Sequence, residues 1–241
     1  MAINMSRPLL EISNLNAYYG KSHVLQGVHL RVNSGELVVV VGRNGMGKTT
    51  LLRSVLALPP VRRKGAIVFN GQETIKKLTH ETAAMGIGYV PQGRLLFPSL
   101  TVDEHLQFAC RNKKKNSRWT PDAVYELFPE LKERARLSGA RLSGGEQQML
   151  AIGRALVTNP ILLMMDEPSE GLSGLVAQRV EQTCRHLISQ EMAILLVEQN
   201  LEAAQALADR AYILYNGSVA YEASGDIFRK DRETVGSYLG I

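Results

Sequence analysis

A glycine-rich segment between a predicted strand and a predicted helix constrains this chain more than any other feature. The segment runs from Gly42 to Thr50 and reads GRNGMGKTT. The five residues before it, Leu37–Val41, are apolar and mostly β-branched, which is typical of a strand buried on both faces. The residues after it, Leu51–Ala57, have the spacing and composition of a helix. The chain must therefore fold a tight turn at the end of a buried strand.

This segment matches the pattern G-x-x-x-x-G-K-[ST] of the phosphate-binding loop called Walker A. Its glycines let backbone N–H groups converge on phosphate oxygens, and the N-terminus of the next helix adds partial positive charge. We expect Lys48 to reach the β- and γ-phosphates and the Thr49 hydroxyl to ligate Mg²⁺. A glycine turn with a chance lysine is the alternative, but it leaves the flanking strand and helix unexplained. The other predicted nucleotide-binding residues here are Gly42, Arg43, Asn44, Gly45, Met46, Gly47 and Thr50.

The composition is that of an ordinary globular protein. The chain has 241 residues, 45% of them hydrophobic and 21% charged, and this length predicts one domain with an insertion rather than two independent domains. No apolar run reaches the roughly eighteen residues needed to cross a bilayer, and Met1–Pro8 lacks the apolar core of a signal peptide. Cys110 and Cys184 are too few for a disulfide framework. We therefore expect a cytoplasmic location.

Positive charge exceeds negative charge only modestly, with 28 Lys and Arg against 23 Asp and Glu. Such an excess could serve nucleic acid, an anionic membrane or nucleotide phosphates. Part of it lies in two basic runs, Arg62–Lys64 and Arg111–Arg118, which we interpret as solvated loops. Only Trp119 borders the second run and no aromatic interleaves with the first, so base stacking has little support. The sequence therefore predicts no nucleic-acid partner.

The hydrophobic pattern divides the chain into three kinds of segment. Leu9–Tyr19 and His23–Val32 alternate apolar and polar residues, which predicts a pair of antiparallel strands. Residues 91–159 contain several helix starts, such as the capping box at Thr101 and the pair Thr120-Pro121, so we predict a helical insertion. Strands and helices alternate elsewhere, which predicts a mainly parallel sheet covered by helices. The predicted elements there are strands Ala66–Phe69, Ile87–Val90, Ile161–Met165, Ala193–Val197 and Ala211–Tyr215 and helices Thr79–Met85, Ser173–Ser189 and Asn200–Ala208.

Two carboxylates, Asp166 and Glu167, end the predicted strand Ile161–Met165. Beside a phosphate-binding loop this arrangement is what the Walker B motif requires. Asp166 would hold Mg²⁺, and Glu167 would polarise the water that attacks the γ-phosphate. A polar turn after a strand is the alternative, and the upstream loop disfavours it.

The segment Leu142–Gln148 opens another predicted helix. Ser143 and Glu146 are spaced as a capping box, which explains those two residues as an ordinary helix start. The capping box does not explain the pair Gly144-Gly145, since glycine in the first turn of a helix has an entropic cost. Bare N–H groups, a serine hydroxyl and a helix dipole together suit a second anion site.

In combination, these motifs resemble those of the ATP-binding subunits of ABC transporters, over essentially the whole chain. Walker A at Gly42–Thr49, the LSGG signature at Leu142–Gly145 and Asp166-Glu167 occur in the family's order. The resemblance implies an α/β fold: a P-loop NTPase (RecA-like) core with a mainly parallel sheet, an N-terminal antiparallel β subdomain and an inserted helical subdomain. It implies one ABC ATPase domain over 1–241, with the core at 1–91 and 160–241 and the helical subdomain, which carries the signature, at 92–159.

Three further positions fit the family. Tyr19 resembles the aromatic residue that stacks on adenine, although a hairpin aromatic packed on the core explains it about as well. Gln92 resembles the Q-loop glutamine, which touches Mg²⁺ or water and borders the helical insertion; taken alone it would read as a solvated loop residue. Ser169–Leu172 is similar to the D-loop that crosses a dimer interface.

One position departs from the family pattern. Most members carry a histidine where this chain has Gln199, whose amide can still hydrogen-bond a γ-phosphate oxygen but cannot carry a positive charge. A proton relay through this residue is therefore in doubt. We interpret Glu198 and His186 as surface groups rather than substitutes. Glu146 also stands where many members have glutamine.

The motifs Leu142–Leu156, Ser169–Leu172 and Val197–Asn200 are similar to those of the smaller ATPase of branched-chain amino-acid importers. Pro91–Arg94 followed by Phe97–Val102 also resembles the related urea and short-chain amide importers. The sequence decides only weakly between these cargoes, because an ATPase never touches the transported solute.

The resemblance implies a head-to-tail dimer with a second ABC ATPase, identical or similar. Each ATP, with Mg²⁺ held by Thr49, Gln92 and Asp166, would lie between one Walker A loop and the partner's signature residues Leu142, Ser143, Gly144, Gly145 and Glu146. Glu167, Gln92 and Gln199 would be the catalytic residues. Two membrane permease subunits would dock beside the Q-loop, where Leu95, Leu96, Phe97 and Pro98 either line the groove or pack the insertion on the core, and a solute-binding protein would act indirectly.

These partners would place the chain peripherally at the cytoplasmic face of the inner membrane. A non-transport ABC ATPase is a second interpretation, but such proteins usually carry coiled-coil insertions or tandem domains. A kinase or GTPase with the same loop is a third, and it gives no reason for LSGG.

Overall fold

The computed structural model describes residues 7–110 and 117–240. Its strands are β1 (Leu10–Tyr19), β2 (Ser22–Val32), β3 (Leu37–Val41), β4 (Arg62–Phe69), β5 (Gln72–Glu73), β6 (Ile87–Val90), β7 (Leu162–Asp166), β8 (Ala193–Glu198), β9 (Arg210–Tyr215) and β10 (Ser218–Ser224). Its α-helices are α1 (Lys48–Val55), α2 (Thr79–Ala84), α3 (Val102–Ala109), α4 (Pro121–Leu127), α5 (Pro129–Glu133), α6 (Gly144–Leu156), α7 (Gly174–Ser189), α8 (Leu201–Leu207), α9 (Gly225–Lys230) and α10 (Arg232–Leu239).

A six-stranded sheet in the order β10-β9-β3-β8-β7-β6 forms the centre of the structure. Its strands run parallel except for β10, which pairs antiparallel with β9 at one edge. Every residue of β3, β7 and β8 is buried. Their apolar runs predict this burial, but the carboxylates that end β7 and β8, Asp166 and Glu198, are buried as well. Because these strands are parallel, their carboxyl ends meet at one edge of the sheet, where Gly42, Glu167 and Gln199 follow them directly.

The two faces of this sheet pack against different cores. On one face, Val39, Met165 and Leu196 belong to a core shared with helices such as α3, α6 and α7. On the other face, Val40, Met164 and Leu195 belong to a core shared with β1, β2 and α1. Successive side chains of a strand point to opposite faces. A strand covered on both faces therefore needs apolar residues at every position.

A second sheet, in the order β2-β1-β4-β5, is antiparallel throughout. The predicted hairpin is present with its strands within one residue of the expected bounds. One prediction fails: β4 begins at Arg62, four residues before the predicted Ala66. Arg62–Lys64 pair with Asn16–Tyr18 of β1, so the first basic run is part of a strand and not a solvated loop. Most of the second run, residues 111–116, lies outside the described residues.

In the described residues between 91 and 159, the regular elements are the helices α3 to α6 and one 3-10 turn at Gly139–Arg141. The predicted caps are in place: the Thr101 and Glu104 side chains form the capping box of α3, and Thr120 caps α4 ahead of Pro121. The α/β fold with a mainly parallel sheet, an antiparallel β part and a helical insertion is thereby confirmed. The boundaries at 91/92 and 159/160 stay a prediction.

None of the helices in residues 7–110 and 117–240 combines the length and the apolar character needed to span a bilayer.

Arg63 explains why a basic residue belongs in β4. Its side chain is half-buried, and its guanidinium donates to the backbone carbonyls of Ser54, Thr74 (2.7 Å) and Lys77 (2.8 Å). These acceptors lie at the end of α1 and on the segment between β5 and α2. One side chain of β4 thus fastens the end of α1 and the segment between β5 and α2 through charge-assisted hydrogen bonds.

We expect Arg63→Met to destabilise the fold by about 2 kcal/mol, because it removes charge-assisted hydrogen bonds while keeping side-chain volume. For a chain of this size that is a fall in Tm of about 4–8 °C, measurable by calorimetry. Lys64→Met is the matched control, since Lys64 is exposed on the same strand. Equal Tm values for the two variants would contradict a structural role for Arg63.

Candidate active site

A cleft of about 350 Å³ opens at the carboxyl edge of the parallel sheet. It lies on the loop between β3 and α1, and side chains from β1, from the segment after β6 and from the end of β7 complete its wall. The structure thus brings nine of the predicted site residues together in one cleft. Its lining residues are Tyr19, Val24, Asn44, Gly45, Gly47, Lys48, Thr49, Thr50, Gln92 and Glu167.

The conformation of the β3–α1 loop requires its glycines. Gly45 and Gly47 have φ values of +81° and +102°, in the left-handed region that favours glycine. A Cβ on Gly42 would lie 2.5 Å from the carbonyl oxygen of Leu214, which is too close for any side chain. Helix α1 then begins at Lys48 with Gly47 as its N-cap and no side chain capping its first turn. The residues of that turn, Lys48, Thr49 and Thr50, line the cleft, so N–H groups without a side-chain cap are available there to an anion.

Lys48 is buried and curls back across this loop. Its Nζ donates to the carbonyl oxygens of Gly42 (2.7 Å) and Arg43 (3.2 Å) and lies 3.0 Å from Oε1 of Glu167. The exposed fractions of the Lys48 and Glu167 side chains are 4% and 6%, so this ion pair is shielded from water. The predicted phosphate-binding lysine and the predicted general base are therefore direct partners.

Asp166 lies at the end of β7 beside this pair. Its two carboxylate oxygens accept hydrogen bonds from the hydroxyls of Thr49 (3.1 Å) and Tyr89 (3.3 Å). Burial raises the pKa of Asp166, and the bond from Thr49 opposes that rise. Burial and the neighbouring Asp166 carboxylate also raise the pKa of Tyr89, which keeps its hydroxyl protonated as a donor. Sequence reasoning missed Tyr89, because only the pairing of β6 with β7 brings it to Asp166.

Gln92 and Glu167 meet at the mouth of the cleft. Nε2 of Gln92 donates to Oε2 of Glu170 at 2.8 Å and lies 3.5 Å from Oε2 of Glu167. Glu167 has a φ of +49°, and its N–H donates to the carbonyl of Val197 on β8 (2.9 Å). The neighbouring strand thus fixes the direction of the Glu167 side chain.

The oxygens of Thr49, Asp166 and Gln92 fit a hard cation such as Mg²⁺. In the described residues no group of three or more His, Cys, Asp or Glu side chains could hold a metal ion without further ligands. Mg²⁺ is commonly held by one or two carboxylates together with substrate phosphates and water, so a shared site is consistent with this donor set.

Tyr19 is half-buried at the end of β1 and lines the cleft beside Gly47. The preceding residue, Tyr18, stacks on His23 with ring centroids 4.3 Å apart, so the two tyrosine side chains contact different parts of the structure. Of the two interpretations of Tyr19, its place on the cleft favours a contact with a bound ligand over simple core packing. The adenine contact itself stays a prediction.

The signature residues Leu142, Ser143, Gly144, Gly145 and Glu146 do not line this cleft. Ser143 caps α6 as predicted, and the N–H of Ser143 lowers the pKa of Glu146 by donating to its carboxylate (2.8 Å). Gly145 has a packing reason that the sequence did not reveal: a Cβ there would lie 2.9 Å from the Val176 side chain of α7. Ser143 and Gly144 are exposed.

Gln199 does not line the cleft that contains Lys48. It lines a neighbouring cavity of about 620 Å³ together with Gly42, Arg43, Asn44, Leu201 and Leu239, and Asn44 lines both. The interpretation of Glu198 as a surface group is wrong. Strand β8 extends one residue beyond its predicted end and pairs Glu198 with Val41, which buries the carboxylate.

The Glu198 carboxylate is held by two groups. It accepts a hydrogen bond from the Ser169 hydroxyl and another from the N–H of Gln199 (3.3 Å), and burial raises its pKa. His186 is exposed, as predicted.

Comparison with known proteins fits this arrangement. The sequence model of the ABC transporter family matches residues 25–170. The branched-chain amino acid transport ATP-binding protein BraG of Pseudomonas aeruginosa is 39% identical, covering 96% of this chain and 100% of that protein. The probable branched-chain amino acid transport ATP-binding protein LivF of Archaeoglobus fulgidus is 37% identical, covering 90% and 93%. The lipopolysaccharide export system ATP-binding protein LptB of Haemophilus influenzae is 32% identical, covering 96% and 97%.

A solved structure of an ATP-binding subunit of an ABC transporter has the same fold. It superposes with a TM-score of 0.79 at 29% identity and covers 95% of this chain and 94% of its own. The family match spans more than half of the chain, and the relatives match nearly all of it. The chain therefore belongs to the ABC transporter family, as one of its ATP-binding ATPases.

Proposed function

We propose that this ATPase powers an importer of branched-chain amino acids. Its similarity to BraG and LivF over nearly its whole length supports that cargo. The choice of cargo rests on the higher sequence identity to these two relatives. A third relative, which matches the chain over a similar length, serves lipopolysaccharide export instead. Import of urea or short-chain amides is the second candidate, and the segment Pro91–Arg94 favours it.

The observation that carries the site assignment is the ion pair of Lys48 with Glu167 in the cleft. We infer that the β- and γ-phosphates of ATP replace Glu167 as the partner of Lys48. The carboxylate of Glu167 is then free to accept a proton from the attacking water, as a general base does. The N–H groups of the first turn of α1 would hold the phosphates, and Tyr19 would pack on the adenine. Gln92, 3.5 Å from Glu167, would orient the water.

Thr49, Asp166 and Gln92 would hold Mg²⁺ with their oxygens. When bound there, the ion would offset negative charge on the phosphates. Displacing the Thr49 hydroxyl from Asp166 would leave a carboxylate oxygen free to take part.

We infer that the signature acts on the nucleotide of a second ATPase subunit. The chain has two phosphate-binding surfaces, the β3–α1 loop and the start of α6, and the second does not line the cleft of the first. A head-to-tail dimer of two identical or similar ATPases would bring each signature to the partner's cleft. ATP would then join the subunits and its hydrolysis would release them. Gln199 would approach the γ-phosphate only in that assembly, as a neutral hydrogen-bond donor.

Two permease subunits would dock where the chain exposes apolar side chains next to Gln92. Leu95 and Phe97 are 66% and 47% exposed, and Phe97 packs edge-on against Phe108 at 6.2 Å. Pro98 is also exposed, whereas Leu96 packs on the core of the helical part and supports the packing alternative for that residue. These contacts would hold the chain at the cytoplasmic face of the inner membrane, and a solute-binding protein would deliver cargo to the permease.

We expect Glu167→Gln to bind ATP but to lower kcat by about a hundredfold or more, because an amide cannot accept the proton. Phosphate release measures turnover, and a fluorescent ATP analogue measures affinity. Glu126→Gln makes the same change in charge on the exposed face of α4 and should hydrolyse ATP normally. Normal turnover in Glu167→Gln would remove Glu167 as the base.

We expect Lys48→Ala to weaken binding of the same analogue by about tenfold or more, since it removes a charge-assisted contact to phosphate. Lys64→Ala serves as the control, because the Lys64 side chain is exposed on β4. A thermal unfolding curve for each variant separates a lost contact from a lost fold. An unchanged affinity in folded Lys48→Ala would contradict its assignment.

The importer is tested by purifying the tagged chain from detergent-solubilised membranes and identifying what accompanies it by mass spectrometry. We expect two hydrophobic permease subunits and a second ATPase. The accompanying solute-binding protein would then be screened with leucine, urea and amides, which separates the two candidate cargoes. Recovery of ribosomal or DNA-repair proteins alone would refute transport and leave the ATPase chemistry standing.

A further inference from the structure

The loop that follows Gln92 has an unusual backbone. Gly93, Arg94 and Leu95 have consecutive φ values of +73°, +65° and +43°. Glycine adopts this left-handed region freely, but residues with a Cβ do so at an energetic cost. Two such residues in succession persist only where surrounding contacts hold them, and such sites concentrate in switch and functional segments.

Arg154, in the last turn of α6, supplies those contacts. Its guanidinium donates from Nη1 to the carbonyl oxygen of Leu95 (2.8 Å) and from Nη2 to that of Arg94 (3.1 Å). Cζ of the same group lies 5.8 Å from the centroid of the Phe97 ring. A planar guanidinium can bridge two carbonyls and stack on an aromatic ring at once, which a lysine ammonium cannot do.

A histidine holds the far end of the loop. Nε2 of His105 on α3 lies 2.9 Å from the backbone nitrogen of Phe97, and its Nδ1 lies 2.7 Å from the carbonyl oxygen of Thr101. A backbone N–H can only donate, so Nε2 is the acceptor and Nδ1 carries the proton. The imidazole is therefore neutral and fixed in one tautomer. Side chains of α3 and α6 thus hold both ends of the segment Arg94–Phe97.

The position of Gln92 depends on this segment. The N–H of Arg94 donates to the carbonyl of Pro91 at 3.2 Å, which closes a turn around Gln92. The Gln92 side chain itself is exposed and has its short contact with Glu170. Few other contacts restrain it, so its distance from Glu167 is set largely by the backbone of the turn.

We propose that Arg154 is a positioning residue for ATP hydrolysis: by bridging the carbonyls of Arg94 and Leu95 it holds the left-handed loop and, through it, the Gln92 side chain at Glu167. This inference rests on the proposed roles of Gln92 and Glu167. Arg154 contacts neither Lys48 nor the first turn of α1, which are the groups proposed to bind the phosphates, so its main effect falls on the hydrolytic step.

The chain offers a closely matched control in Arg179 of α7. Its Nη2 donates to the carbonyl oxygen of Leu127 at 2.8 Å, and its Cζ lies 5.9 Å from the centroid of the Phe128 ring. Arg179 thus combines a carbonyl contact and a ring contact as Arg154 does. It fastens α7 to the end of α4, and its hydrogen bond and its ring contact are both outside the segment Arg94–Phe97.

The test compares Arg154→Met, Arg154→Lys and Arg179→Met in the full chain. ATP hydrolysis gives kcat and KM, and hydrogen exchange read by mass spectrometry follows backbone amides in a peptide covering residues 92–97. For Arg154→Met we expect kcat to fall by about tenfold or more and KM for ATP to stay within about twofold. Exchange in that peptide should accelerate by about tenfold. Arg154→Lys should recover part of kcat, because an ammonium can still reach one carbonyl. Arg179→Met should leave kcat and loop exchange unchanged.

Three results would overturn the proposal: unchanged exchange in the loop of Arg154→Met, accelerated exchange with an unchanged kcat, or an equal loss of kcat in Arg179→Met. The Glu167→Gln variant distinguishes a failure of the positioning role of Arg154 from a failure of the proposed active site. If Glu167→Gln is inactive while Arg154→Met is normal, the site assignment stands and the positioning role falls. If Glu167→Gln hydrolyses ATP normally, the site assignment fails and takes the positioning role with it.

Discussion

A buried ion pair between Lys48 and Glu167 is the interaction on which the site depends. An unpaired charge at either position would cost several kcal/mol, so each side chain holds the other in place. Lys48 also donates to two carbonyls of its own loop, and Glu167 is oriented by β8. The Walker A loop and the end of β7 are thereby joined by this ion pair. An anion that entered the cleft would compete with Glu167 for Lys48.

Much of this arrangement follows from local sequence. The buried strands could be predicted because a strand covered on both faces is apolar at each position, as Leu37–Val41 is. The glycine spacing of the Walker A motif likewise predicts a tight turn, in which Gly45 and Gly47 adopt the left-handed conformation. Arg63, Tyr89 and Glu198 could not be assigned in this way. Each owes its place to strand pairing or to backbone groups distant in the chain: carbonyls of residues 54, 74 and 77, a neighbour on β7, and a register position opposite Val41. A single sequence does not show these pairings.

Glu198 shows what such a pairing adds to the chemistry. Its buried carboxylate binds the Ser169 hydroxyl on one side and the N–H of Gln199 on the other. The segment after Glu167 and the segment that carries Gln199 are therefore tied to one group at the end of β8. Gln199 itself is neutral at any pH at which the protein folds, whereas histidine there would gain a charge near neutrality. The positive charge that lines the cleft comes from Lys48 and the N-terminus of α1.

The loop from Gln92 to Phe97 connects the cleft with exposed apolar side chains. Gln92 stands at the mouth of the cleft, and Leu95 and Phe97 expose apolar side chains a few residues later. A left-handed backbone held by Arg154 and His105 does not bend continuously, because moving any one residue out of that region breaks hydrogen bonds at its neighbours. A partner that pushes on Leu95 or Phe97 therefore either leaves Gln92 in place or displaces it with the whole loop.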